Sequence, residues 1–166
     1  MRYRITLETH KTHALVDLQG DKHDIALWAK KSELRLPANA NTFAQSGPYT
    51  LYWIGPERWL LAASLEREPE LAQLISENTL AESSSAVLIS DSQSFFEIRG
   101  ADAGQIVSIA SPLDIHSSVF PENGASYTDL FGLKALVIRR EDGFDIMVER
   151  SFSDMVLDYF QRAQGV

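Results

Sequence analysis

One order of patterns runs through this chain twice, and such a repeat restricts the fold more than any single motif does. Residues Ala14-Leu15-Val16-Asp17-Leu18-Gln19 alternate as a half-buried strand does, and Gly20 ends the run. A helix is predicted next. Asp21 can cap it, Asp24 sits in its first turn where negative charge suits the helix dipole, and Ile25, Trp28 and Ala29 share a face. It should close before Leu36-Pro37, because proline disfavours helix in the residue ahead of it. A polar loop from Ala38 to Pro48 leads to a predicted hairpin, Thr50 to Ile54 and Arg58 to Ala62, turning at Gly55-Pro56-Glu57. Glu68-Pro69-Glu70 then reads as a helix start, with Leu71, Leu74 and Ile75 as its apolar stripe.

After a polar linker, Glu82 to Ser85, the order returns. Ala86-Val87-Leu88-Ile89 leads in, and Phe95 to Arg99 forms a strand that again stops at a glycine, Gly100. Asp102 opens a helix whose Ala103, Ile106, Val107 and Ala110 share a face, and Ser111-Pro112 closes it. A loop from His116 to Gly124 leads to Ser126 through Leu130. A second hairpin then pairs Leu133 to Arg139 with Phe144 to Glu149 around Glu141-Asp142-Gly143. The last helix is predicted from Ser151, with Asp154 in a capping-box-like position and Phe152, Met155, Val156, Tyr159 and Phe160 buried.

The repeat is one of order and patterning, with little residue identity. It predicts an α+β fold of mixed or antiparallel sheets with helices packed on them, built from two similar βαββα-like halves at about 14–77 and about 94–163. Neither half is long enough to bury its apolar faces alone, so residues 1–166 are expected to form a single domain with one shared core. A common strand order in the two halves is what this expectation requires.

Composition removes whole classes of function. The 166 residues carry 23 acidic and 15 basic side chains, a formal charge of −8, and 45% of them are hydrophobic. A chain of this length buries roughly two-thirds of the surface its unfolded form exposes, so no disulfide or metal staple is needed. The absence of cysteine excludes thiol nucleophiles, redox pairs, iron–sulfur ligands and thiolate zinc sites. The negative balance repels a phosphate backbone, which makes nucleic acid an unexpected partner. Met1 to Glu8 lacks the apolar run of a secretory signal, and no later window approaches the ~20 apolar residues that span a bilayer. A soluble, cytoplasmic protein without a membrane partner is expected.

The candidate chemical groups are few. His10 and His13 could share a helical face as a metal pair, but no third ligand stands at a defined spacing from them, so surface residues are the better reading. His23, between Asp21 and Asp24, is ordinary in a polar first turn. Asp114-Ile115-His116 could place a carboxylate beside an imidazole, yet no nucleophile motif accompanies it, and loop structure is the simpler reading. No serine lies in a Gly-x-Ser-x-Gly elbow, and the Ser83 to Ser85 run reads as a linker. Gly100 and Gly104 lack the third glycine of a dinucleotide fingerprint, and Asp102 would meet the phosphate there. Trp53, Trp59, Phe95 and Phe96 alternate as strand residues do, which favours core packing over an interface. No catalytic, cofactor-binding or metal-ligating residue is assigned.

Several segments together carry a family resemblance. Tyr52-Trp53-Ile54-Gly55-Pro56-Glu57-Arg58-Trp59-Leu60-Leu61, Ser90-Asp91-Ser92, Ile98-Arg99-Gly100-Ala101-Asp102-Ala103, Pro112-Leu113-Asp114-Ile115-His116, Phe120-Pro121, Gly143-Phe144-Asp145 and Glu149-Arg150-Ser151-Phe152 resemble the gamma subunit of heterotetrameric sarcosine oxidase. The motifs are weak singly, and their specificity lies in the collinear set, which runs from about Val16 to the carboxyl end. That family is similar in turn to the folate-binding domain of the glycine-cleavage aminomethyltransferases. The resemblance implies a small subunit partnered by alpha, beta and delta chains in a flavoenzyme that oxidises sarcosine to glycine. FAD, FMN, NAD and tetrahydrofolate would be held by the other subunits and none by this one. In the aminomethyltransferases a functional aspartate lies in an Asp-Asp pair on a strand after a small-residue turn; the corresponding Gly132 to Arg139 carries no acid. The departure favours a retained scaffold over a working transferase, with a folate-binding or one-carbon-transfer protein as the rival. The charge of −8 adds the expectation of an interface matched in part to basic patches on larger subunits.

Overall fold

The computed structural model describes residues 3–9 and 12–165. In chain order its elements are β1 (Thr6–Thr9), β2 (His13–Gln19), α1 (Lys22–Lys31), β3 (Phe43–Ser46), β4 (Tyr49–Gly55), β5 (Arg58–Ser64), α2 (Glu68–Glu77) and β6 (Ser85–Leu88). There follow β7 (Gln93–Arg99), α3 (Ala103–Ala110), β8 (Ala125–Leu130), β9 (Leu133–Arg140), β10 (Gly143–Glu149) and α4 (Ser153–Gln164). The chain divides into two compact units, one spanning Thr12–Asp91 and the other combining the amino-terminal segment with the residues from Ser92 onward.

Each unit holds one five-stranded sheet, β3-β4-β5-β2-β6 in the first and β8-β9-β10-β7-β1 in the second. The pairings are antiparallel throughout. The two orders coincide element for element, as the repeat requires. Two details depart from the expected βαββα halves. Each half contains a further strand ahead of its hairpin, β3 or β8; β3 escapes detection because Phe43-Ala44-Gln45-Ser46 carries a single large apolar residue and lies partly exposed at the sheet edge. Residues 85–88, expected to lead into the second half, are instead the edge strand of the first sheet, where β6 pairs with β2. β1, which lies ahead of the first half, pairs with β7 in the second sheet. The opening strand of each repeat is thus exchanged into the other sheet.

Two glycines make room for the exchange. Gly20 (φ 151) and Gly100 (φ 117) follow β2 and β7 in a backbone region that side chains rarely adopt. Their N–H groups donate to Glu57 O and Asp142 O in the hairpin turns, each at 3.0 Å. A Cβ on Gly20 would lie 2.1 Å from Ser84 Oγ, and one on Gly100 would lie 2.6 Å from Arg4 O. Ser84 immediately precedes β6 and Arg4 stands just ahead of β1, so each glycine is the point where an incoming strand crosses its host.

Helices cover one face of each sheet. In the first unit Ile25, Trp28 and Ala29 of α1 and Leu71 of α2 pack with Val16, Leu18, Trp59 and Leu61. In the second, Ala103, Ile106, Val107 and Ala110 of α3 and Val156 and Phe160 of α4 pack with Phe96, Ile98, Val137 and Ile146. Full burial of a Leu, Ile or Phe is worth roughly 1.5–3 kcal/mol against exposure, so these stripes hold the helices in place. Asp21 caps α1 as expected, accepting the His23 N–H at 2.8 Å. Pro37 does not end that helix. Glu33 turns left-handed (φ 58), its N–H reaches Lys30 O and that of Leu34 reaches Ala29 O at 2.8 Å, a closure that occurs well before the proline. α4 also begins later than expected, after a 3-10 turn over Arg150–Phe152 and without a side-chain cap. The turn rotates Phe152 outward, and Phe152 and Tyr159 are exposed whereas Val156 and Phe160 are buried.

Gly100→Ala should therefore lower stability by about 2 kcal/mol or more, because the new methyl meets backbone in a disfavoured conformation. Gly47→Ala, left-handed but facing open space, should cost about 1 kcal/mol. Urea melts of the two variants check the difference, and equal losses would contradict the role given to the crossing.

Candidate functional site

The sites singled out in the sequence do not assemble. His10 lies outside the described residues. His13 opens β2, and so belongs to a strand and not to the helix a His10–His13 pair would need. His23 is an exposed residue of the first turn of α1. Asp114 and His116 do come together, but through the backbone: Asp114 Oδ1 accepts the His116 N–H at 2.9 Å, while the imidazole Nδ1 lies 2.7 Å from Ser118 Oγ and accepts the Ser118 N–H at 3.3 Å. The pair builds a loop turn, and its carboxylate does not polarise the ring. Among the described residues no three His, Cys, Asp or Glu side chains converge as metal ligands.

The second unit holds a cleft of about 640 Å³ lined by Ser117, Phe120, Glu122, Arg139, Arg140 and Glu141. Arg139, on β9, is one of its walls. The guanidinium lies between two rings, 5.4 Å from the centroid of Phe120 and 5.3 Å from that of Phe144, and donates to Ile115 O. Its backbone N–H donates to Gly124 O at 2.9 Å, and its Nε is buried without a hydrogen-bond partner. Arg139 thus fastens the 111–124 loop to the sheet by both its main chain and its side chain, and Phe120, 4% exposed, carries the loop into the core. Arg140 is engaged as well: its Nε donates to Asp145 Oδ2 at 2.5 Å, and Asp145 also pairs with Arg99. Arg99 in turn donates to Phe144 O at 2.6 Å and meets Asp142 at 3.2 Å. Both arginines of the cleft are thus engaged with partners of their own, and Glu122 and Glu141 also line it.

Sequence reasoning missed this clamp because Phe120, Arg139 and Phe144 sit on three elements with no fixed spacing. The stretch Gly132 to Arg139 carries no acid. Within it Ala135, Leu136, Val137 and Ile138 are all fully buried, and an ionised carboxylate there would be left without water.

Two charged clusters have shifted titrations. Asp102 does not cap α3 with its side chain; Oδ2 accepts the Arg4 backbone N–H at 2.7 Å and Arg4 Nε at 3.3 Å. Those bonds, the backbone one foremost, hold its carboxyl below the ordinary value of 3.8. On the first unit Glu70 accepts from Arg67 at 2.6 Å and from Tyr49 Oη at 3.0 Å, which lowers the carboxyl, while burial and then the Glu70 bond raise the Tyr49 phenol. Both clusters lie at the surface and tie elements together.

Comparison with known proteins places this geometry. The fold is shared with glycine cleavage system aminomethyltransferase T from Bartonella henselae, at 12% identity and a TM-score of 0.70 over 96% of this chain and 46% of that one. The regulatory subunit of aspartate kinase from Thermus thermophilus, in its ligand-free form, is a more distant likeness at 14% identity and a TM-score of 0.52, covering 95% of this chain and 97% of that one. A chain of heterotetrameric sarcosine oxidase from Corynebacterium sp. U-96, solved in complex with pyrrole 2-carboxylate, is similar over 97% of this chain and 84% of that one, with a TM-score of 0.85 and 23% identity. No curated protein sequence matches. Residues 19–165 match the sarcosine oxidase gamma subunit family, and the chain belongs to it.

Two measurements follow from the site. Arg139→Leu should release the 111–124 loop and lower stability by about 2 kcal/mol, read as faster amide exchange at Val119 and Phe120; unchanged exchange would count against the clamp. Asp102 has a depressed folded pKa, so its contribution is fully present above the unfolded value of 3.8 and disappears as pH falls through the lower folded value. Asp102→Asn should flatten the acid limb of the stability curve in that window, and an acid limb identical to that of the parent protein would rule the linkage out.

Proposed function

We propose that the chain is a structural subunit of a heterotetrameric sarcosine oxidase-like complex, contributing assembly surface while its alpha, beta and delta partners perform the chemistry. The family match over residues 19–165 carries this reading. Two features support it: β9 is apolar and buried where a folate-activating carboxylate would stand, and the cations of the second unit's cleft are committed to internal partners. In the assembled enzyme FAD, FMN, NAD and tetrahydrofolate would belong to the other subunits. The complex would oxidise sarcosine to glycine and pass the one-carbon unit to tetrahydrofolate. Among the described residues no helix is long and apolar enough to cross a membrane, which agrees with a complex working in the cytoplasm. Specific stable interfaces bury ~1,200 to 2,000 Å² or more, a substantial demand on a small chain.

Co-expression of the larger subunits with and without this chain tests the proposal. Without it, assembled complex should be lost and oxidase activity should fall with it; full activity and normal assembly in its absence would refute the scaffold role. The likeness to aminomethyltransferase T keeps one rival in view, a folate-binding or one-carbon-transfer protein. Micromolar binding of tetrahydrofolate by the isolated chain would favour that rival.

A further inference from the structure

The two sheets occupy equivalent positions in the repeat, yet their outer edges differ. β1 and β6 each flank the opening strand of their host sheet, and the register equates them residue by residue: Glu8 stands opposite Glu97 as Val87 stands opposite Asp17, and Thr9 opposite Phe96 as Leu88 opposite Val16. Where one edge shows Glu and Thr, the other shows Val87, 55% exposed, and Leu88, 39% exposed. β6 is the terminal strand of its sheet. The Ile89 N–H donates to Leu15 O at 2.9 Å, and antiparallel ladders alternate between groups that face the neighbour and groups that face away. Val87 therefore faces β2, while the N–H and C=O of Ala86 and Leu88 turn toward the open edge.

Soluble proteins usually guard such an edge with lysine, proline or an inward charge. Ser85-Ala86-Val87-Leu88 has none of these. The stretch of sequence that carries it is also one-signed, although Arg58 pairs with Asp17 opposite Val87. No Lys, Arg or His occurs between Arg67 and Arg99, and exposed Glu82 and Asp91 stand at the two ends of the strand.

We propose that the free edge of β6 docks an extended segment of a larger subunit, an alternating apolar strand with Lys or Arg on its flanks, which joins the sheet as a further strand. The backbone groups of Ala86 and Leu88 supply the ladder, Val87 and Leu88 the apolar contact, and Glu82 and Asp91 the charge match to the flanks. The proposal rests on the reading of the chain as a subunit of the complex.

The experiment uses the co-expressed complex. Amide exchange over Ser85–Leu88 should slow when the chain is assembled. Val87→Lys places a charge on the edge, and Leu88→Pro removes one outward N–H without touching the ladder to β2; each should weaken capture of the larger subunits by about tenfold or more. Glu8→Lys, at the equivalent place on β1, should leave capture unchanged. Circular dichroism and thermal melts confirm that each variant is folded. If both folded β6 variants assemble like the parent protein and exchange is unaltered, the edge proposal is overturned while the subunit reading stands. A dimer of the isolated chain that Val87→Lys disrupts would overturn it in favour of a second copy on the same edge. Failure of the unmodified chain to assemble at all would remove the subunit reading and this proposal together.

Discussion

The close approach of a strand lead-in to a glycine backbone, made once in each half, is the constraint on which the rest depends. At Gly20 and Gly100 the host strand ends, its N–H turns to the hairpin turn, and the incoming chain passes so near that a single methyl would collide. Only then can β6 lie beside β2 and β1 beside β7. Those pairings complete sheets whose opposite edges are β3 and β8. The helices follow from this frame, since α1 and α3 each begin within three residues of these glycines and lay their apolar stripes on the sheet just left.

Much of the frame was legible in the sequence because it is written in local chemistry. Asp21 ahead of an i, i+3, i+4 stripe, Pro69 in a first turn and the Gly55-Pro56-Glu57 turn each act over a few residues, and each lies where expected. What was not legible is long-range pairing. Ser85–Leu88 reads as a short apolar run whichever sheet receives it, and Thr6–Thr9 is too polar to announce a strand; both are assigned by partners far along the chain. β3 was hidden for the complementary reason, as an edge strand that buries little need not be apolar. The outward Phe152 shows the limit of periodicity, since a 3-10 turn ahead of α4 shifts its phase and a stripe drawn at helical spacing then includes a residue that faces water.

The functional region was legible mainly in what the sequence withholds. The acid-free stretch Gly132 to Arg139 is a local feature that could be read directly, and its burial explains it. Arg139 was visible only as a charge on a strand. Its place between Phe120 and Phe144 depends on the loop after α3 folding back, and no spacing encodes that. Asp102 likewise looked like a helix cap and is committed instead to Arg4, so the same residue that begins α3 also secures the exchanged amino-terminal strand. The interactions these cations make are internal ones that hold loop and strands in place.

The strand exchange also sets an order of events during synthesis. β1 leaves the ribosome ahead of β2 to β10, yet its site between Gly100 and the β7 edge does not exist until the second half has been made. The first sheet can close as soon as β6 emerges, whereas the second must retrieve its last strand from the beginning of the chain. A long-range closure of that kind is slow compared with local helix or hairpin formation. β1 therefore waits for its partner until β7 has been made, and its polar Thr6-Leu7-Glu8-Thr9 composition suits a segment that has to wait in water.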